Sequence, residues 1–261
     1  MLLALVLVGA GCGSDDEPPR AMGTQRTATI TVPAETTVTT PPATGEEPAP
    51  ARSLAVYFLL HGRVQPVARP AATPAVARAA LEALFDGPTA REREVGLTTA
   101  VPPATAIERL TIAGGVATVD LRPCPPLAQV VFTLTQFSTV DAVSGSCARG
   151  RRLTRADFEA DSPQILVESP LLDQTVESPA RIRGSANTFE ATLQADVVDR
   201  DGRVVAHQTI TATSGSGARG TFAAAIPFDV TRPGGALVAY ELSAEDGSRV
   251  HVVEIPLQLS P

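Results

Sequence analysis

The spacing of apolar positions changes sharply along this chain. Leu54-Ala55-Val56-Tyr57-Phe58-Leu59-Leu60 is almost wholly apolar, which predicts a short buried strand, since an amphipathic helix would interrupt the run with polar positions. Thr73-Pro74 then reads as an N-cap followed by proline at the first helical position. Behind it Ala77, Ala80, Leu81, Leu84 and Phe85 recur at helical spacing until Gly87-Pro88 stops the pattern. Ile107–Ile112 and Val116–Leu121 are β-prone runs joined by Gly114-Gly115, a dipeptide suited to the positive φ angles of a two-residue hairpin. A second helix is predicted from Pro126 to about Ser138, with Leu127, Val130, Val131, Leu134 and Phe137 on one face, and a short strand, Thr139–Val143, follows it. The order strand, helix, hairpin, helix, strand predicts an α+β domain over residues 53–147, its helices packed on one sheet face.

From Gln164 the helical spacing disappears. Ile165–Glu168, Ala180–Arg183, Ala191–Asp199, Val204–Ala212, Thr221–Phe228, Ala236–Ala244 and Val250–Leu257 are short β-prone segments. Asp201-Gly202 and Asp246-Gly247 are hairpin signals, while Pro170, Pro179, Pro227, Pro233 and Pro256 mark strand ends or edges. About seven strands at this spacing predict an all-β immunoglobulin-like sandwich over residues 164–261, without the Cys…Trp…Cys signature. The charged stretch 148–163 reads as the linker between the two domains.

The chain opens with a different pattern. Leu2–Val8 is apolar, Gly9-Ala10-Gly11-Cys12 closes the run, and Asp15-Asp16-Glu17 follows at once. About 20 apolar residues are needed to cross a bilayer, far more than this run supplies. Residues 1–12 resemble a bacterial lipoprotein signal, in which the cysteine is acylated and begins the mature chain. The resemblance implies lipid attachment at Cys12 and a protein held on the outer face of the cell membrane. Simple secretion stays as the alternative, because Gly9 stands where such signals usually carry Leu and no basic residue precedes Arg20. Residues 13–52, with Thr-Pro repeats such as Thr39-Thr40-Pro41-Pro42, hold too little apolar surface to offset their ordering entropy and predict a disordered tether. As a flexible coil it would span about 35 Å.

Composition narrows the partners. All 21 basic residues are Arg, the net charge is −7, and no basic cluster is large enough to neutralise a phosphate backbone, so nucleic acid is an unfavourable partner. Outside the membrane, Cys124 and Cys147 form an even pair once Cys12 is acylated, which predicts a disulfide stapling the second helix to the last strand. Closing that loop would contribute about 3 kcal/mol. Zinc is disfavoured because no further cysteine or paired histidine stands near.

The remaining candidates for chemistry dissolve on their context. Gly215-Ser216-Gly217-Ala218-Arg219-Gly220 fits the dinucleotide fingerprint by letter, yet a β-prone run follows where a helix N-terminus should receive the pyrophosphate. Asp199-Arg200-Asp201-Gly202 opens like a calcium loop, but Ile210 occupies the twelfth position, where a bidentate Glu belongs. His61, His207 and His251 fall singly in separate segments, and no Gly-x-Ser-x-Gly elbow accompanies them. Arg149, Arg151 and Arg152 form a small cluster in the linker, read as a solvated stretch or as a contact for anionic polymer. No enzyme and no cofactor is expected.

Residues 54–143 resemble the GerMN domain of sporulation and spore germination. The matching pieces are Val56-Tyr57-Phe58, Leu84-Phe85-Asp86-Gly87-Pro88-Thr89, Gly96-Leu97-Thr98-Thr99-Ala100-Val101-Pro102, Gly114 through Leu121, and Val130 through Phe137. Residues 165–259 resemble the immunoglobulin-like domain of bacterial spore germination, through Val167-Glu168-Ser169-Pro170, Ser178 through Ala186, Phe189-Glu190-Ala191, Asp199 through Gly202, Gly220-Thr221-Phe222 and Asp246-Gly247-Ser248. The resemblance implies a non-enzymatic, lipid-anchored envelope protein that acts as an interaction or assembly module, with an envelope protein as partner. Such domains also occur in actinobacterial lipoproteins without a spore role. Ser144-Gly145-Ser146-Cys147 and the Arg-rich stretch depart from the family's usual ending. A wall-glycan (peptidoglycan) binding module is the alternative. Glycan platforms need exposed aromatics; the chain has no Trp and two Tyr, and Phe189 and Phe222 read as core.

Overall fold

A computed structural model describes residues 52–71 and 75–261. Cys12, the segment 13–51 and the Thr73-Pro74 cap lie outside the described residues. Strands β1 (Arg52–Leu60) and β2 (Arg63–Ala71) form an antiparallel hairpin that turns at His61-Gly62, both at positive φ. The sequence reading has no counterpart of β2, because Pro66 and Pro70 interrupt it. Its place in the sheet order β2-β1-β3 explains how the prolines are accommodated. Tyr57 turns its N–H toward a helix and away from β2, so Pro66, opposite it, sits at a non-hydrogen-bonded position; Pro70, opposite Ser53, has the same parity.

Helix α1 (Val76–Phe85) buries Ala77, Ala80, Leu81 and Leu84, and ends at Gly87, where φ is +79°. Two small elements follow that the spacing did not predict. Helix α2 (Ala90–Glu94) starts in a Thr89–Glu92 capping box, and β3 (Leu97–Thr98) pairs with the end of β1. Strands β4 (Ala106–Ala113) and β5 (Val116–Arg122) form the predicted hairpin, with Gly114 and Gly115 at φ of +53° and +77°. Helix α3 (Ala128–Leu134) is shorter than predicted and buried on every side. It carries the chain to β6 (Ala142–Ser144), which runs parallel to β5. The α+β domain therefore has two three-stranded sheets, β2-β1-β3 and β4-β5-β6. Val56, Phe58, Leu81, Leu84, Val119 and Val131 meet in their shared core. Gly145 is needed for shape: at φ +128°, a Cβ there would stand 1.9 Å from the Val119 carbonyl oxygen.

The second domain is a sandwich. Strands β7 (Ile165–Ser169), β9 (Ala180–Ala186) and β12 (Gly220–Ile226) form one sheet in the order β12-β9-β7. The facing sheet runs β11-β10-β13-β14-β8, from β8 (Thr175–Val176), β10 (Thr192–Asp199), β11 (Val204–Thr211), β13 (Gly235–Leu242) and β14 (Arg249–Leu259). Alternate residues such as Ile165, Ile182, Leu193, Phe222, Leu237 and Ile255 fill the space between them. The short β8, parallel to β14, is the one strand without a predicted counterpart.

Residues 148–163, read from sequence as a linker, are built into both neighbours. Leu153 is buried and bridges to Val143, and Arg155–Asp161 forms a 3-10 turn. Cys124 and Cys147 form a disulfide, but it joins the turns that follow β5 and β6 instead of stapling α3 to β6. The two cysteines sit just beyond paired, parallel strands, which brings the turns together.

Candidate functional site

The inner edge of β1 sets the site. Only Leu59 and Leu60 find a strand there, in β3, so the backbone groups of Ala55 and Tyr57 need other partners. Polar side chains from α3 and the turn after it supply them. Gln136 accepts from the Ala55 N–H at 2.8 Å and donates back to its carbonyl at 2.5 Å, as a strand would. Thr133 Oγ1 accepts from the Tyr57 N–H at 3.2 Å, and Gln129 Nε2 donates to the Tyr57 carbonyl at 2.9 Å while its Oε1 accepts from the Ala100 N–H. Gln129, Thr133 and Gln136 follow helical spacing, so one stripe of α3 and the turn after it acts as β1's missing neighbour.

With β1 fixed, the Tyr57 side chain points toward the sandwich. It packs with Val64, Ala128, Phe132 and Leu166, and Leu166 belongs to β7 of the second domain. The Tyr57 hydroxyl donates to Glu168, also on β7. Arg155 closes the cluster: its Nη1 donates to Glu168 Oε1 at 2.6 Å, its Nε to Thr135 Oγ1 at 2.8 Å, and its Nη2 to the Tyr57 hydroxyl at 3.2 Å. The guanidinium also lies 4.8 Å from the Phe132 ring centre. Burial first, and then the Glu168 carboxylate, push the Tyr57 phenol well above its ordinary range, so it stays a hydrogen-bond donor.

Further ties run through the 3-10 turn. Arg63, at the start of β2, donates to the carbonyls of Ala160 and Ser162 at 2.7 and 2.9 Å. Arg219 grips Glu159 with two nitrogens at 2.8 and 3.0 Å, and this holds the Glu159 carboxyl below its usual range. The turn is thus bound to the first domain by Arg155 and Arg63, and to the second by Glu159.

Beside this junction lies a groove of about 700 Å³. Its walls include Gln136, Thr135 and Arg155, and its floor is the outer face of the β12-β9-β7 sheet, with the side chains of Arg183 and Ala223 and the backbone of Gly184. Gly184 is constrained from both sides, since a Cβ there would stand 2.1 Å from the Leu166 carbonyl oxygen and 2.7 Å from the Phe222 ring.

The residues singled out from sequence are scattered. His61 occupies the β1–β2 turn, His207 pairs with Asp196 at 2.6 Å, and His251 pairs with Glu241 at 2.9 Å. Asp196 is itself buried on the outer face of the larger sheet, where Arg249 also reaches it at 2.9 Å. Asp199-Arg200-Asp201-Gly202 is a turn in which Asp199 Oδ1 accepts from the N–H groups of Asp201 and Arg203. Gly215–Arg219 lies in the loop between β11 and β12, and Gly220 begins β12. Arg149, Arg151 and Arg152 are exposed, with Arg151 paired to Asp157. Phe222 is core, but Phe189 is not: it sits 55% exposed in a turn outside the sandwich, where Glu190 and Ala191 take positive φ. Among the described residues no cluster of three or more His, Cys, Asp or Glu could hold a metal ion, and no helix is long and apolar enough to cross a membrane.

Sequence reasoning missed the whole junction. One signal was available: Gln129, Thr133 and Gln136 interrupt the apolar pattern of α3 along a single stripe, which marks buried polar work for a helix that is otherwise core. Comparison with known families agrees with the two folds. Residues 55–144 match the family described as sporulation and spore germination, and residues 164–248 match the immunoglobulin-like domain of bacterial spore germination. No curated protein matches the chain. The two matches follow the same order as the two folds, so a region like the sporulation and spore germination family is followed in this chain by one like the immunoglobulin-like domain of bacterial spore germination.

Proposed function

We propose that this is a non-enzymatic, lipid-anchored envelope protein, held on the outer face of the cell membrane through Cys12, whose paired domains act as one interaction or assembly module. The observation that carries the reading is the junction. Tyr57, Arg155 and Glu168 come from the first domain, the connecting turn and the second domain, and they satisfy one another across a shared apolar cluster. Such a joint holds two binding faces in a fixed relation, which is of use to a scaffold and costs polar groups that a catalytic site would keep free. The apolar run that ends at Cys12 supports the anchor. In-cell crosslinking of the tagged full-length protein at native level, followed by mass spectrometry of the membrane fraction, tests the reading. A small, reproducible set of envelope proteins is expected, and Cys12→Ala should move the protein out of that fraction. Wall fragments recovered without a protein partner would replace this reading with peptidoglycan binding.

A further inference from the structure

The groove beside the junction has an open strand edge, an unneutralised charge and a floor of small residues. We propose that it takes an extended, carboxylate-bearing peptide segment of a partner protein, added as a strand to the free edge of β12 with a carboxylate met by Arg183. The proposal rests on the interaction reading above and names the chemistry of the partner.

The edge follows from backbone parity. Thr221 donates its N–H to Thr213 Oγ1 at 2.9 Å and accepts from the Thr213 N–H at 2.9 Å, so its peptide groups point away from β9. Strand alternation turns those of Ala223 and Ala225 the same way. Among the described residues β12 pairs with β9 alone, which leaves two residues about 7 Å apart presenting unpaired N–H and C=O groups. Thr213 already shows how a passing chain pairs there.

The charge gives the sign of the partner. Arg183 lies opposite Ala223, and Arg181 opposite Ala225; both are exposed, and neither has a carboxylate within ion-pair distance among the described residues. Arg155 and Glu168, by contrast, neutralise each other within the same groove. The field left over is positive, in a chain whose net charge is −7.

The floor favours a peptide over a sugar. Ala223, small and outward-facing, lets a backbone approach closely, and a space of about 700 Å³ lies within the range of ligand sites. The aromatic residues that line it, Tyr57 and Phe222, are 1% and 4% exposed, so they offer no stacking platform. Main-chain pairing would supply affinity, and Arg183 would supply selectivity.

A displayed library of random octapeptides, panned against the full-length protein, tests this directly. Enriched peptides should carry Asp or Glu at a recurring position, lose about tenfold in affinity for Arg183→Glu, and lose binding when alternate backbone nitrogens are N-methylated. Arg183 is exposed, so the variant's melting temperature should match that of the parent. Enriched peptides without acids, or binding that changes less than about twofold with Arg183→Glu and with N-methylation, would overturn the proposal. So would a library without enrichment. If in-cell crosslinking still recovers envelope proteins in that event, the interaction reading stands and the groove falls alone; if it recovers none, both fall.

Discussion

Replacing Arg155 with alanine should do more than lower stability; it should uncouple the two domains. The substitution removes the 2.6 Å ion pair with Glu168, the 2.8 Å hydrogen bond to Thr135 and the guanidinium over the Phe132 ring. Glu168 keeps the Tyr57 hydroxyl as its one remaining partner at the junction. The two charged side chains are 27% and 23% exposed, so the pair falls between an exposed one, worth about 0–1 kcal/mol, and a buried one, whose breaking costs about 3–5 kcal/mol. A loss of about 2–3 kcal/mol is expected, or roughly 4–12 °C in melting temperature for a folded part of this size. Since Glu168 belongs to the sandwich and Tyr57 to the α+β domain, the lost energy is coupling energy. Urea unfolding of the parent should show one transition, and that of Arg155→Ala two. A double-mutant cycle with Glu168→Gln should return at least about 1 kcal/mol of interaction, because the two residues touch. A single transition in Arg155→Ala within about 0.5 kcal/mol of the parent, together with no interaction in the cycle, would refute the reasoning.

Three further outcomes follow from the first domain. Gln129→Ala leaves the buried Tyr57 carbonyl without its partner and frees the more exposed Ala100 N–H to water, and should cost about 1–3 kcal/mol in urea unfolding. Reducing the Cys124–Cys147 bridge, or changing either cysteine to serine, should cost about 3 kcal/mol, with the double variant no worse than either single one; melting with and without reductant measures it. Glu92 gives an acid dependence: burial opposes its charge, but hydrogen bonds from Arg69 and the Thr89 N–H outweigh that and lower its pKa from 4.5. A lowered carboxylate stabilises the fold fully above its unfolded value and loses that contribution as pH falls through the folded one. The stability gap between the parent and Glu92→Gln should therefore be constant above pH 4.5 and close below it in an acid titration of unfolding.

Where a side chain's role is local, the sequence displayed it. The Gly114-Gly115 turn, the stop at Gly87-Pro88 and the alternating strands from Ile165 onward all depend on neighbours within a few residues, and each took its predicted form. β2 did not, because its prolines are tolerated only through their parity against β1, a relation between residues such as Tyr57 and Pro66 that spacing does not encode. Phe189 failed for the opposite reason. Its apolar side chain suggests core, whereas the positive φ values of Glu190 and Ala191 carry its turn outside the sandwich.

The junction was hidden for a deeper reason. Its members stand at Tyr57, Gln129, Arg155 and Glu168, in four elements, and each has an ordinary explanation when taken alone: a tyrosine in an apolar strand, a glutamine on a helix, an arginine in a charged linker, a glutamate near a strand end. What makes them a unit is that β1 finds a strand on its inner edge only at Leu59 and Leu60. The rest of that edge requires α3 to carry polar side chains, which fixes the direction of Tyr57, which in turn gives Glu168 a donor and Arg155 a place between two rings. The linker then folds because its Arg155 and Glu159 have partners on both sides, while the Thr154–Asp157 capping box starts its 3-10 turn locally. A chain of dependence of this kind predicts that damage at Gln129 and damage at Arg155 should not add, since both act through the position of Tyr57. Independent, additive losses would mean that the edge of β1 and the junction are separate devices that happen to meet.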